Sequence, residues 1–150
     1  MGTHYDGTAE EKRALEAYIK LSRSAEAVSQ AINGHLRDVN LTISQFGVLE
    51  ALYHLGPMQT GEVGEKILKS SGNMTLVIDN LVKRGLVRRQ RREDDRRCIN
   101  IHLTSEGEAL LKQIWPKHLV GVVHAFAALT AEEQVQLATL SRKVGLAQRV

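Results

Sequence analysis

The chain has 150 residues, a formal net charge of +3 and a single cysteine. Its 43% hydrophobic and 25% charged residues exclude disordered, collagen-like and disulfide-scaffold classes and predict one compact domain, residues 1–150. No stretch is apolar enough to span a bilayer, no secretion signal is recognisable, and Cys98 cannot form an internal disulfide. We therefore expect a cytoplasmic protein with no membrane partner.

The positive charge is concentrated in one segment. Residues 66–97 carry ten basic and four acidic side chains, a net +6, which leaves −3 for the rest of the chain. A local basic field is typical of a nucleic-acid footprint, because cations near phosphates release condensed counterions. Charge alone leaves an ordinary solvated face as the alternative.

The N-terminal half begins with helical patterns. Apolar residues recur at helical spacing over residues 10–38, which predicts one long helix. At about 1.5 Å per residue it would extend roughly 40 Å, so part of its apolar face should meet another chain. Thr42 and Gln45 have the spacing of a capping box that opens a second, amphipathic helix, ending at Gly56-Pro57.

A helix-turn-helix pattern follows. Two short helices, Gly61 to Leu68 and a fourth helix ending near Arg84, are joined by a tight polar connector. Gly85 is placed to end the fourth helix in a left-handed conformation. The apolar period then changes to two, which predicts a β-hairpin with a charged tip over residues 86–103. Residues 42–103 are thus expected to form a winged helix-turn-helix lobe.

The C-terminal part is helical again. Thr104 is predicted to cap a helix that Pro116 should kink or break, and Thr130 with Glu133 predicts a second capping box before the last helix. The predicted fold class is therefore mostly α with a small β-hairpin wing.

The outward side of the fourth helix supplies the first candidate DNA contacts. A helix fits the major groove and its N-terminal residues reach base edges. The candidates are Ser70, Ser71, Asn73, Thr75, Leu76 and Asn80. We select Asn73 and Thr75 for base contact, while Leu76 can meet a thymine methyl group. Helix capping is the alternative for Ser70, Ser71 and Asn73, and it can coexist with phosphate contact.

The wing supplies the second set of candidates. Six arginines and three carboxylates occupy residues 88–97. Arg96 and Arg97 at the tip are predicted to enter a minor groove, with Arg91 as a further contact. Phosphates would repel Asp95, so we expect this carboxylate to orient an arginine. A solvated edge hairpin whose charges prevent aggregation is the alternative.

Five segments together carry a family resemblance. They are Ile43 to Leu52, the run from Ser70 to Leu81, Arg84-Gly85-Leu86-Val87, Asp95-Arg96-Arg97 and Leu103-Thr104-Ser105-Glu106-Gly107. With these motifs the chain resembles the MarR family of bacterial transcription regulators. The resemblance implies a homodimer in which residues 10–38 and 104–148 form a helical dimerisation layer. It also implies repression that a ligand or oxidant relieves. Many members have Arg or Lys where this chain has Leu76.

The same resemblance leads to an effector hypothesis. Two recognition helices must lie about 34 Å apart to enter successive major grooves, and a ligand between dimerisation layer and lobe could hold them at another spacing. The candidate liners are Tyr18, His35, Phe46 and Tyr53, with a core role as the alternative for Phe46 and Tyr53. The implied ligand is phenolic or otherwise aromatic.

Other chemistries find little support in the sequence. The six histidines are scattered without ligand spacing, so no metal or other cofactor is expected, and Cys98 is interpreted as a small buried residue. Motifs of common catalytic sites are missing, which predicts that the protein is not an enzyme. The predicted function is a homodimeric repressor that binds a pseudo-palindromic operator in double-stranded DNA and is released by a small molecule. The alternatives are a winged-helix protein-interaction module and a constitutive DNA binder without a ligand.

Overall fold

The computed structural model describes residues 4–67 and 71–149. Its elements in chain order are α1 (Ala9–Asn33), a 3₁₀ segment (Gly34–Val39), α2 (Ile43–Leu55), β1 (Met58–Gln59), α3 (Thr60–Ile67), α4 (Ser71–Lys83), β2 (Val87–Arg91), β3 (Ile99–Leu103), α5 (Ser105–Ala125) and α6 (Ala131–Ala147). These elements form two compact units. The winged unit is Asn33–His118, and the terminal unit combines the chain up to Ile32 with the chain from Leu119 onward.

The first predicted helix is interrupted. α1 ends at Asn33 and the chain continues as the 3₁₀ segment, so the prediction of one helix over residues 10–38 is wrong. Gly34 weakens a helix through its backbone freedom. The tighter 3₁₀ turn also lets Leu36 and Leu41, which are 2% and 6% exposed, both enter the core of the winged unit.

The winged unit is built around the predicted helix-turn-helix. The capping box of α2 is confirmed: the Gln45 amide donates to Thr42 Oγ1 at 3.1 Å, and the Thr42 amide donates to Gln45 Oε1 at 3.0 Å. The side chains that meet between the helices and the sheet are apolar and bury a single core. Its fully buried members are Leu36, Val48, Leu49, Val63, Met74, Ile78, Leu81, Val87, Ile101 and Leu111.

The predicted hairpin is confirmed and gains a third strand. β2 and β3 pair antiparallel with Val87 opposite Leu103, and β1 adds to the other edge of β3 with Met58 opposite Ile101. Strand β1 has only two residues, which are too few to show an alternating apolar pattern in the sequence. Side chains alternate across a strand, so Val87 and Ile101 enter the core while Arg88 and its cross-strand partner His102 lie on the opposite face.

Helix α5 continues through its proline. A kink or a break is expected at Pro116; the break is wrong, since one helix spans Ser105–Ala125, and the kink stays a prediction. Proline removes one backbone donor. The preceding turns bury Leu111 and Ile114, which are 0% and 6% exposed, and this burial holds the helix together across the missing bond.

The terminal unit is helical, and none of its described residues is fully buried. Neither α1 nor α6 contains a buried residue. The capping box of α6 is confirmed by the Glu133 amide, which donates to Thr130 Oγ1 at 3.2 Å. Large apolar side chains stand exposed here, among them Val120 at 69%, Tyr18 at 66% and Leu140 at 61%. The expected dimerisation layer stays a prediction that these surfaces favour.

Candidate nucleic-acid interface

The recognition helix of the predicted motif is α4, Ser71–Lys83. Asn73, Thr75 and Leu76 lie on its exposed side, Leu76 with 64% of its surface accessible, and Asn80 is half-buried. The opposite side is the apolar stripe of Met74, Ile78 and Leu81, each 0% exposed. Ser70 lies outside the described residues, as does the Ser71 side chain. The helix therefore presents three of the six candidates fully to solvent.

The end of α4 turns the chain sharply into the wing. Gly85 has φ +72°, the left-handed conformation predicted for it, and its amide donates to the Val82 carbonyl at 2.9 Å. The Leu86 amide reaches the Leu81 carbonyl at 3.0 Å. Because this turn is closed by backbone bonds, β2 leaves the recognition helix in a fixed direction.

One ion pair fastens the wing to the recognition helix. Arg89 on β2 donates through Nη2 to Asp79 Oδ1 on α4 at 2.5 Å. Both side chains are less than half exposed, at 37% and 45%. The prediction grouped Arg89 with the other basic residues of the segment. Its partner shows that this arginine supports the wing rather than offering its charge outward.

The wing tip is held by its own backbone. The Arg92 amide donates to the Cys98 carbonyl at 2.9 Å, and the Cys98 amide donates to the Asp95 carbonyl at 3.0 Å. Arg91, a candidate DNA contact, donates through Nη1 to the Arg96 carbonyl at 2.9 Å. Its side chain thus braces the tip, while the remaining guanidinium donors are available for a phosphate.

Asp95 lies beside Arg97. Asp95 Oδ1 accepts from the Arg97 amide at 3.1 Å and from Arg97 Nε at 3.3 Å, and the Arg97 side chain is 92% exposed. These hydrogen bonds, the backbone one first, hold the pKa of Asp95 below its ordinary value. The half-buried Cys98 places Sγ 3.6 Å from Asp95 Oδ2. An ionised Asp95 can thus restrict the direction of an otherwise free arginine.

A second carboxylate neutralises one wing cation. Arg92 Nη2 lies 2.5 Å from Asp94 Oδ2, and Nε lies 2.9 Å from Oδ1. The side-chain hydrogen bond from Arg92 lowers the pKa of Asp94. Arg92 and Asp94 therefore form an ion pair at the tip, and Arg96 and the Asp95-bound Arg97 are its exposed arginines.

The root of the wing explains the Leu-Thr-x-x-Gly motif. Thr104 Oγ1 donates to the Gly85 carbonyl at 2.6 Å and accepts from the Gly107 amide at 3.0 Å, which confirms the predicted helix cap. The Thr104 amide donates to the Leu86 carbonyl at 3.1 Å. A Cβ on Gly107 would lie 2.0 Å from the oxygen of Leu86. The start of α5 therefore seats directly on the turn that follows the recognition helix.

Three of the four predicted effector residues lie in the winged unit, and the fourth lies in the terminal unit. His35 and Phe46 lie in the winged unit with ring centroids 6.4 Å apart, and both contact His118, at 5.3 and 4.5 Å. Tyr53 meets His54 at 5.1 Å. Tyr18 belongs to the terminal unit, where it is 66% exposed.

Three residues that the sequence analysis missed, His54, Trp115 and His118, complete the site. Trp115 stacks on His118 at 5.6 Å and meets the ring of His54 at 4.7 Å. We call the set of six contacting rings the aromatic–histidine cluster: His35, Phe46, Tyr53, His54, Trp115 and His118. No local pattern could connect His35 with His118, because they lie in distant parts of the chain.

Electrostatics in this cluster favour a neutral histidine. Burial, and then the neighbouring His35, lower the pKa of His118. Within the part of the chain that the structure describes, His118 Nδ1 is buried and has no hydrogen-bond partner. A ring nitrogen in this state is a ready partner for a polar group on an aromatic ligand.

Over residues 4–67 and 71–149, no group of three or more His, Cys, Asp or Glu side chains is arranged to hold a metal ion. Nor does any helix among the described residues combine the length and apolarity that a bilayer crossing needs.

Comparisons with known proteins decide the family. The MarR family model matches residues 41–99, the span from the start of α2 to the wing. The HTH-type transcriptional regulator YkoM of Bacillus subtilis (strain 168) is 34% identical over 137 residues, which cover 91% of this chain and 89% of the relative. The chain belongs to the MarR family. As a MarR-family protein it is a transcription regulator, and α3, α4 and the β2–β3 wing form its winged helix-turn-helix.

Two solved structures share the fold of this MarR-family chain. BpsR of Bordetella bronchiseptica, whose DNA binding is regulated by 6-hydroxynicotinic acid, has a TM-score of 0.78 at 24% identity and covers 97% of this chain and 98% of its own. A mutant of Escherichia coli MarR complexed with operator DNA has a TM-score of 0.76 at 24% identity, covering 93% and 99%. At this identity the likeness concerns the fold.

Proposed function

We propose that this MarR-family regulator binds a pseudo-palindromic operator in double-stranded DNA as a homodimer and represses transcription until a small aromatic ligand releases it. The observation that carries the proposal is the pairing of two DNA-reading surfaces. The exposed side of α4 and the arginine tip of the wing are linked by the Asp79–Arg89 ion pair. They therefore approach a duplex as one piece.

In the proposed complex α4 enters the major groove. Asn73 and Thr75 would contact base edges and Leu76 a thymine methyl group, with Asn80 further along the helix. Ser70 and Ser71 would contact phosphates. The complex of Escherichia coli MarR with operator DNA supports this use of the fold.

The wing would read the adjacent minor groove. Arg97, held by Asp95, and the neighbouring Arg96 are the outward cations of the tip, and a narrow A·T-rich groove concentrates the negative potential that attracts them. Arg91 would contact the flanking phosphate while bracing the turn. An arginine whose direction is set beforehand loses less conformational freedom on binding.

The terminal unit would supply the dimer interface. Its helices bury none of their own residues, yet they carry exposed Tyr18, Val120 and Leu140. Between α1 and α6 lies an apolar groove of about 330 Å³ whose walls include Leu21, Phe126 and Leu137. An exposed apolar surface of this extent is typical of a protein–protein interface. A second copy is the partner that an operator with two half-sites requires.

The aromatic–histidine cluster is the proposed effector site. Trp115 and Phe46 offer ring faces, and the unpartnered Nδ1 of neutral His118 can pair with a hydroxyl or carboxylate group. An aromatic ring that bears such a group matches both features. The regulation of BpsR by 6-hydroxynicotinic acid supports this ligand class. Tyr53 lies at the outer end of the cluster, and Tyr18 stays a predicted liner.

Selection of bound duplexes from a random pool tests the DNA-binding part of the proposal. We expect enrichment of a pseudo-palindrome with half-sites about one helical turn apart. Sedimentation of the free protein should give a dimer. A stable monomer, or retention of duplexes with no sequence enrichment, would refute the mechanism. Repeating the selection with 6-hydroxynicotinate present tests the effector part separately.

A further inference from the structure

One arginine ties the recognition helix to a distant turn of the chain. Arg84 directly follows α4, and its guanidinium donates through Nη1 to the Asn40 carbonyl at 2.7 Å and through Nη2 to the Val39 carbonyl at 3.0 Å. These carbonyls end the 3₁₀ segment Gly34–Val39. A planar guanidinium that reaches two fixed acceptors sets an orientation as well as a distance.

Both ends of this link are anchored. On the 3₁₀ side, Asn40 adopts φ 53° and ψ 42°, and the Leu41 amide closes the turn on the Leu36 carbonyl at 3.0 Å. Leu36 and Leu41 are buried in the core. On the helix side, the Arg84 amide still bonds to Asn80 within α4 at 3.2 Å. Each end of the link is therefore held by backbone hydrogen bonds of its own element.

The 3₁₀ segment also reaches the aromatic–histidine cluster. His35 belongs to it and lies 5.3 Å from His118, which stacks on Trp115. The segment thus connects to the proposed effector site at one end and to Arg84 at the other. All of these residues lie in the winged unit.

We propose that Arg84 is a positioning residue that couples the aromatic–histidine cluster to the recognition helix. This inference rests on the proposed function, because it explains how occupation of the cluster alters DNA reading. Displacement of the 3₁₀ segment moves the Val39 and Asn40 carbonyls, and the bidentate guanidinium moves the end of α4 with them. Coupling free energy is reciprocal, so DNA bound at α4 must also alter the cluster.

Trp115 makes the coupling measurable without a known ligand, since it is the only tryptophan of the chain. The probe is a duplex that the wild-type protein has selected from a random pool. We expect saturation with this duplex to change Trp115 fluorescence in the wild type. The change should be lost in Arg84→Gln and reduced in Arg84→Lys, because an ammonium group cannot match the two-acceptor geometry. Lys83→Gln, which removes a neighbouring charge, should keep the wild-type change.

The salt dependence of binding separates positioning from phosphate contact. Arg84→Gln is expected to weaken binding about tenfold, which corresponds to about 1.4 kcal/mol. Its slope of log affinity against log salt should equal that of the wild type. A slope flatter by about one unit per half-site would mean that Arg84 contacts phosphate, and would overturn the inference.

The outcomes also distinguish this inference from the proposed function. If no duplex is enriched by the wild type, the proposed function fails. If a duplex binds but Arg84→Gln and Arg84→Lys respond like Lys83→Gln, only the coupling role is refuted. Circular dichroism of each variant establishes that it is folded, and Arg84→Lys provides a milder change should Arg84→Gln fail to fold.

Discussion

Replacing Gly107 by alanine should damage the root of the wing. The added Cβ would lie 2.0 Å from the Leu86 oxygen, about 1.4 Å short of the 3.4 Å at which ordinary contact begins. The obstacle is backbone, so no side-chain rotation relieves it. That oxygen also accepts a hydrogen bond from the Thr104 amide at 3.1 Å. Moving the backbone to relieve the clash would lengthen this hydrogen bond. Overpacking costs about 1 to 3 kcal/mol, and a weakened hydrogen bond adds about 1 kcal/mol.

We therefore expect Gly107→Ala to lower the free energy of unfolding by about 2 to 4 kcal/mol and Tm by about 5 to 15 °C. Thermal and urea denaturation followed by circular dichroism, at one fixed protein concentration, measure both. The matched control is Gly61→Ala in α3, where an added Cβ meets nothing within 4 Å. This control should be neutral or stabilising by up to about 1 kcal/mol. Equal Tm values for the two variants would refute the argument from close approach.

Two further changes test the DNA contacts and the cluster. Arg97→Ala should flatten the slope of log operator affinity against log salt by about two units, one for each wing of a dimer. Arg142→Ala on α6 should leave this slope unchanged. An unaltered slope for Arg97→Ala would exclude its contact with DNA. The pKa of His118 in the folded protein lies below its ordinary 6.5. As the pH falls, the unfolded chain therefore binds a proton at His118 before the folded protein does. The free energy of unfolding should thus decrease as the pH falls below about 6.5. His118→Gln should weaken that dependence and the exposed His124→Gln should not; indistinguishable pH profiles would contradict the assignment.

Local signals predicted much of this fold. Each capping box needs only a residue and its third neighbour, so Thr42 with Gln45 and Thr130 with Glu133 are legible in the sequence and are confirmed. Gly85 is also a local signal, because glycine favours the left-handed conformation that ends a helix. In contrast, β1 exists only because Met58 and Gln59 meet β3, and the run through Pro116 depends on burial against the core. Those outcomes are set by tertiary contacts.

For the candidate site too, local signals predicted some residues and the fold determined the others. Helical spacing was enough to separate exposed Leu76 from buried Met74, and hence to select one side of α4. The ring contact between His35 and His118 has no such spacing to reveal it, because the fold brings the two residues together. Arg84 is a similar case: nothing near it in sequence indicates that its acceptors are the carbonyls of Val39 and Asn40.

The Asp79–Arg89 ion pair has a consequence for operator architecture. In the proposed complex, the helix and the hairpin are joined by this ion pair and by the turn at Gly85, so they would meet a major-groove site and the neighbouring minor-groove site at a fixed offset. A single base pair inserted between those sites would rotate one away from the other by about 36°, and the two contacts could no longer form together. Natural operators should therefore vary more readily in base identity at either site than in the spacing between them.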